Sequence, residues 1–292
     1  IMFEATTMFT RPLVFSNAAP ERVAPLARPE ADLDSKERLL RHEREAWEKV
    51  FGTKVELPDL PDFIDRALIE RMRGSGFTIS AIPNLNIGTE DDLKAKGVRQ
   101  FLDSIQEKYP GWKSPEKMGR EKLCNCTECK LPEAFFWEKV EAGKTPFPDM
   151  SGRWLVLEPI PKPYRGQEYI KTKLMHLLGL DSRLGIPQEQ IIELLQEKQG
   201  EILGMLGLET GKVSLPSVME WNVLANRDGW GISGLSEWTR TGFQDRGIGQ
   251  GNTRVDEHKF IIGEGNYGGA ASVSAFVDYY PLRDVGFRTV IE

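Results

Sequence analysis

The chain has 292 residues, 38 basic against 44 acidic side chains, a formal charge of −6 and 40% hydrophobic residues. That acidic balance argues against a general nucleic-acid binder, which needs a basic surface to neutralise phosphates, and no apolar run approaches the roughly 18 residues of a membrane span. The opening IMFEATTMFTRPLVF lacks the basic, then apolar, then small-residue order of a secretory signal, and 28 glycines with 18 prolines favour a loop-rich fold over a plain helical bundle.

Pro12, Pro20, Pro25 and Pro29 predict an extended opening segment over 1–33. Asp34 or Ser35 caps a helix through SKERLLRHEREAWEKVFG, where Leu39, Leu40, Trp47 and Val50 recur at helical spacing. PDFIDRALIERMRG reads as a second helix, FTISAIP as a short strand, and Thr89 opens a helix through DDLKAKGVRQFLDSIQEKY. Cys124, Cys126 and Cys129, the only cysteines, crowd into KLCNCTECK. An odd, clustered set is poor material for a disulfide framework. Two readings stay open: thiolates gripping one structural zinc with a fourth ligand from elsewhere, or reduced thiols on a surface turn. His42, His176 and His258 are the only histidines, and none adjoins the cluster. PEAFFWEKVEAG is then a short helix, and the proline-rich TPFPDM marks the expected boundary. It separates a mainly helical region with the cysteine cluster, 1–145, from a second domain, 146–292.

RWLVLEPIP reads as a strand, and YIKTKLMHLLGL and PQEQIIELLQEKQGEILGMLG as amphipathic helical stretches. Beyond about residue 226 the chain turns glycine-rich and largely aperiodic, until VGFRTVIE predicts a terminal strand. The glycine-rich GIGQGN (247–252) lacks the strand–helix context and the Lys-Ser/Thr ending of a phosphate loop.

Three segments in order carry a resemblance: LPSVMEWNVLANR (215–227), GISGLSEWTRTGF (231–243) and GEGNYGGAASVSAFVDYYPLRDVGFR (263–288). Together they resemble the formylglycine-generating-enzyme branch of the C-type lectin fold. There a Leu-Pro helix with Glu-Trp, a Glu-Trp-Thr segment, a Gly-Gly turn and a closing Gly-Phe-Arg strand recur in that order. The resemblance covers about the last 80 residues and extends back to about 150. It implies an α+β fold: a small twisted antiparallel sheet, two flanking helices and long loops, preceded by the mostly helical region. The oxidase activity of that branch requires paired C-terminal cysteines, and none lies beyond Cys129. A related sulfur-transferring branch needs a histidine-rich iron site, which three scattered histidines do not build. A calcium site of the animal-lectin kind has only Glu220, Asn222 and Asp228 to draw on, which read as structural.

The variable proteins of diversity-generating retroelements resemble the same branch and share the Gly-Gly-Ala-Ala to Val-Gly-Phe-Arg ending. Adenine-directed mutagenesis of Asn codons there cannot produce Glu, Gln, Lys, Met or Trp. Those five types make up 71 of 292 residues, so a proportional share of the 27 residues 265–291 would be about seven; that stretch holds none. Alternation in ASVSAFVDY adds a geometric reading: Val273, Ala275 and Val277 form an inner wall, and Ser272, Ser274, Phe276 and Asp278 an outer face. An ordinary half-buried strand would alternate in the same way. With the resemblance, the expected recognition surface is Tyr267, Ser272, Ser274, Phe276, Asp278, Tyr279, Leu282, Arg283 and Asp284, with Arg240 as an addition.

Trp221 and Trp238 read as core, and Glu220 and Glu237 as buried acids satisfying backbone amides rather than a catalytic pair. The expectation is thus a non-catalytic protein needing no cofactor for binding, with zinc structural if present. Its partner would be a protein or other macromolecule, not nucleic acid. Reduced clustered cysteines suit the cytoplasm; display on a virion or cell is the other location. Two further readings are an oxidase relative with displaced chemistry and a zinc-stabilised adaptor.

Overall fold

The computed structural model describes residues 35–115, 135–161, 163, 166–230, 235–246, 255–263, 273–277 and 282–292. Cys124, Cys126, Cys129, Tyr267, Ser272, Asp278 and Tyr279 lie outside the described residues, as do the proline-rich opening and GIGQGN.

Local signals start the elements. Helix α1 (Ser35–Phe51) turns Glu43, Trp47 and Phe51 inward at four-residue spacing. The Trp47 indole donates to the Ala81 carbonyl at 2.9 Å. Asp65 caps α2 (Arg66–Ser75) by accepting from the Leu68 amide at 2.7 Å, and Gly76 closes it at φ 84°. Strand β1 (Thr78–Ile82) follows. Thr89 and Asp92 form a reciprocal capping box at the start of α3 (Glu90–Lys108), which kinks at Gly97. Next come α4 (Phe135–Glu141), β2 (Arg153–Leu157) and the short α5 (Lys173–Leu177).

The single helical stretch expected over 187–207 is two helices, α6 (Gln188–Glu197) and α7 (Gln199–Leu206). Lys198 leaves helical geometry between them, and the Gln199 side chain accepts from the Val213 amide at 3.2 Å. Strand β3 (Val213–Ser214) leads to α8 (Val218–Asp228), where Ser217 and Glu220 make a second capping box and Gly229 ends the helix at φ 70°.

The region expected to be aperiodic holds the longest strands, β4 (Ser236–Arg246) and β5 (Val255–Ile262), followed by β6 (Val273–Val277). In β4 the polar Ser236, Glu237 and Thr239 are buried and the register shifts between Trp238 and Gly242, so the two-residue apolar period is broken.

The expected terminal strand is split. Val285–Gly286 (β7) runs parallel to β4, while Val290–Ile291 (β8) inserts antiparallel between β2 and β3. Among the described residues two four-stranded sheets result, ordered β1-β2-β8-β3 and β6-β5-β4-β7, and the closing segment belongs to both. This is an α+β arrangement.

Strand β2 has core on both faces, which explains its unbroken apolar run. Leu155 and Leu157 pack with Trp221, Phe260 and the aromatic group of α3 and α4, while Trp154 and Val156 pack with α2, α6 and α7. The boundary expected near 146 falls in the connection from α4 to β2. Across that connection, β1 and β2 pair over five residues, from Thr78 opposite Leu157 to Ile82 opposite Arg153.

Candidate functional site

Glu220 and Glu237, the two acids of the motif helix and strand, are buried. Glu220 accepts from the Ser217 amide at 2.6 Å, from Arg153 at 2.6 and 3.0 Å and from Arg240 at 2.7 Å. Burial alone would push its carboxyl up. The Arg240 and Arg153 charges and the Ser217 amide outweigh that and hold it below the ordinary glutamate value.

Glu237 is held by three side chains. The Trp221 indole donates at 2.6 Å, the Tyr169 hydroxyl at 2.5 Å, and Arg288 at 3.1 Å to each oxygen. Burial first, and then the Glu237 charge, push the Tyr169 phenol well above its usual range. Both acids are thus held in ion pairs inside the protein. Asn222 is likewise structural: it accepts from Trp112 at 2.8 Å and donates to the Lys113 carbonyl at 3.0 Å.

Arg240 sits where β4 bulges against β5. Trp238 faces Ile261, but the next paired residue, Gly242, faces Lys259, so Thr239, Arg240 and Thr241 oppose Phe260 alone. The bulge aims the Arg240 guanidinium at Ser214 Oγ (3.0 Å), the Leu215 carbonyl (2.9 Å), Glu220 (2.7 Å) and Glu292 (2.6 Å). Both of its terminal nitrogens are engaged, so this member of the expected surface is tied into the scaffold. Beside it opens a cleft of about 560 Å³ whose lining includes Phe136, Phe147 and Met219 as well as Arg153, Arg240 and Glu292.

Strand β6 lies at the edge of its sheet and pairs only with β5 among the described strands. Val273, opposite Ile262, is buried in the main core as the inner-wall reading requires. The backbone pairs Ser274 with Ile261 and Phe276 with Lys259. At the return of the chain, Leu282 is half-buried against the second core cluster, whereas Arg283 and Asp284 are exposed. The Val285 amide donates to the Leu282 carbonyl at 3.0 Å and closes this turn, after which residues 285–291 are all buried. The structure therefore places Arg283 and Asp284 together on an exposed corner and commits Leu282 and Arg240 to packing and ion pairing.

His42 lies on α1, His176 on α5 and His258 on β5, where its ring stacks on Phe243 at 5.2 Å. Among the described residues no group of three or more His, Cys, Asp or Glu could hold a metal ion.

Sequence reading missed the buried pairs Arg183–Glu158 and Arg227–Glu43. Arg227 closes the segment LPSVMEWNVLANR, but Glu43 is 184 residues away and nothing in the sequence joins them. No protein-family model, curated protein or solved structure matches the chain.

Proposed function

We propose that this chain is a non-catalytic ligand-binding protein of the C-type lectin fold, the variable protein of a diversity-generating retroelement. Its C-terminal surface would be rewritten to meet varied macromolecular, chiefly protein, partners. The observation that carries the reading is compositional: residues 265–291 contain no Glu, Gln, Lys, Met or Trp.

The fold supports it in physical terms. A diversified surface needs a scaffold whose stability does not depend on the varied side chains. Here Val273 and residues 285–291 supply buried packing, while Arg283 and Asp284 protrude between them. Exposed substitutions shift stability by only about 0.5 kcal/mol either way, and core truncations by several times that. The two-sheet arrangement, with the closing strand inserted between β2 and β3 and a longer β4–β5–β6 sheet beside it, supports assignment to the C-type lectin class.

The test is genetic. An adenine-richer near-copy of the 3′ coding region beside a reverse-transcriptase gene is the expected finding. Sibling genes should differ at the codons for Arg283 and Asp284 and agree across 285–291. Siblings uniform at both sets of codons overturn the proposal.

A further inference from the structure

A second cleft, of about 370 Å³, shares Glu292 with the Arg240 cleft and is lined by α2, the α7–β3 connection, β2 and β8. That volume is in the range of small-molecule sites. Leu68 of α2, Trp154 and Val156 of β2 and Ile291 of β8 line its interior. Trp154 and Val156 share one face of their strand, two residues apart. Phe63 stands at the cleft with 60% of its surface exposed, one of two large apolar side chains so exposed among the described residues.

The charges are unbalanced. Asp65, Glu209 and Glu292 contribute carboxylates, against the single guanidinium of Arg71. Arg71 donates to the Leu206 and Gly207 carbonyls, at 3.2 and 3.0 Å, so it caps the end of α7 rather than pairing with an acid. Glu292 is neutralised by Arg240. Asp65 meets the positive end of α2. Glu209 is exposed and has no cationic partner among the described residues.

We propose that this cleft binds a small organic cation with a flat apolar body, the body lying between Phe63 and Trp154 and the ammonium facing Glu209 and Asp65. An anion would meet the uncompensated Glu209 carboxylate in a lining with three acids and one guanidinium, and a neutral apolar ligand would leave that charge unused. A cation on aromatic faces satisfies both features of the lining. This site stands independently of the recognition surface proposed above.

Phenethylammonium and phenylacetate share an aromatic body and differ in the sign of their charge, so they make a matched pair of probes. Titrated into the full chain at pH 7 and low salt, phenethylammonium is expected to bind with a Kd of about 1 mM or tighter. Phenylacetate should bind at least about tenfold more weakly, a difference that shrinks as salt screens the charges. Glu209→Gln and Phe63→Ala, both at exposed positions, should each weaken amine binding about three- to tenfold while the thermal unfolding midpoint stays put. No saturable amine binding up to about 10 mM, equal binding of the two probes, or unchanged binding by both variants would overturn the proposal.

Discussion

Arg288 and Glu237 face each other with both side chains fully buried, at 3.1 Å on each carboxylate oxygen. Glu237 belongs to β4, in the second sheet. Arg288 lies on the three-residue link by which the chain passes from that sheet to the first. The same guanidinium donates to the Glu158 and Ile160 carbonyls just after β2, at 3.2 and 2.8 Å, and stacks 3.7 Å from the centre of the Trp230 ring. One ion pair therefore fastens the two sheets together.

Removing one partner strands the other charge in the interior. Arg288→Met and Glu237→Gln should each lower unfolding free energy by about 3–5 kcal/mol, read from urea melts. A loss below about 1 kcal/mol in both would mean that the pair does not hold the sheets.

Glu220 makes acid stability pH-dependent. Its folded carboxyl lies below the ordinary glutamate value of 4.5, so the folded state binds fewer protons than the unfolded chain in that range. This contribution is fully present above about pH 4.5 and is lost as pH falls through the lower folded value. The urea midpoint should thus decline on acidification below that point, and Glu220→Gln should flatten that decline. An identical pH profile in the variant would contradict the assignment.

Gly286 permits a close approach rather than a special backbone angle. A Cβ there would sit 2.6 Å from the Tyr169 ring, which is itself held by Glu237. Gly286→Ala is expected to cost about 1–3 kcal/mol through overpacking, visible as a lower thermal midpoint. A neutral substitution would show that the Tyr169 ring can move aside.

The exposed corner and the wall beneath it should respond oppositely. Arg283→Ala and Asp284→Ala should each stay within about 0.5 kcal/mol of the unsubstituted chain, whereas Phe287→Ala, fully buried, should cost about 3–5 kcal/mol. Comparable losses at all three positions would remove the physical basis for a freely variable surface.

Much of the local structure was legible because its causes are local. The Thr89 capping box is contained within four residues, and the apolar faces of α1 and β2 show directly as spacing. The long β4 escaped notice because its bulge inserts two unmatched residues and breaks the alternation a strand is recognised by. At the candidate surface, the inward role of Val273 followed from period two, and its burial agrees. The fate of Arg240 did not follow, because its partners Glu220 and Glu292 come from a helix start and from beyond β8.

The amino-acid order by itself determined where α1 and α3 begin, that RWLVLEPIP is apolar enough to be a strand, and which side-chain types populate the tail. These depend on neighbours a few residues apart, within reach of one turn or one pleat. Only the tertiary structure decided that VGFRTVIE serves two sheets, that Glu237 meets Arg288, and that Arg240 is tied down while Arg283 and Asp284 stand exposed. Those outcomes depend on groups brought together across dozens of residues, where burial and charge pairing choose the partner.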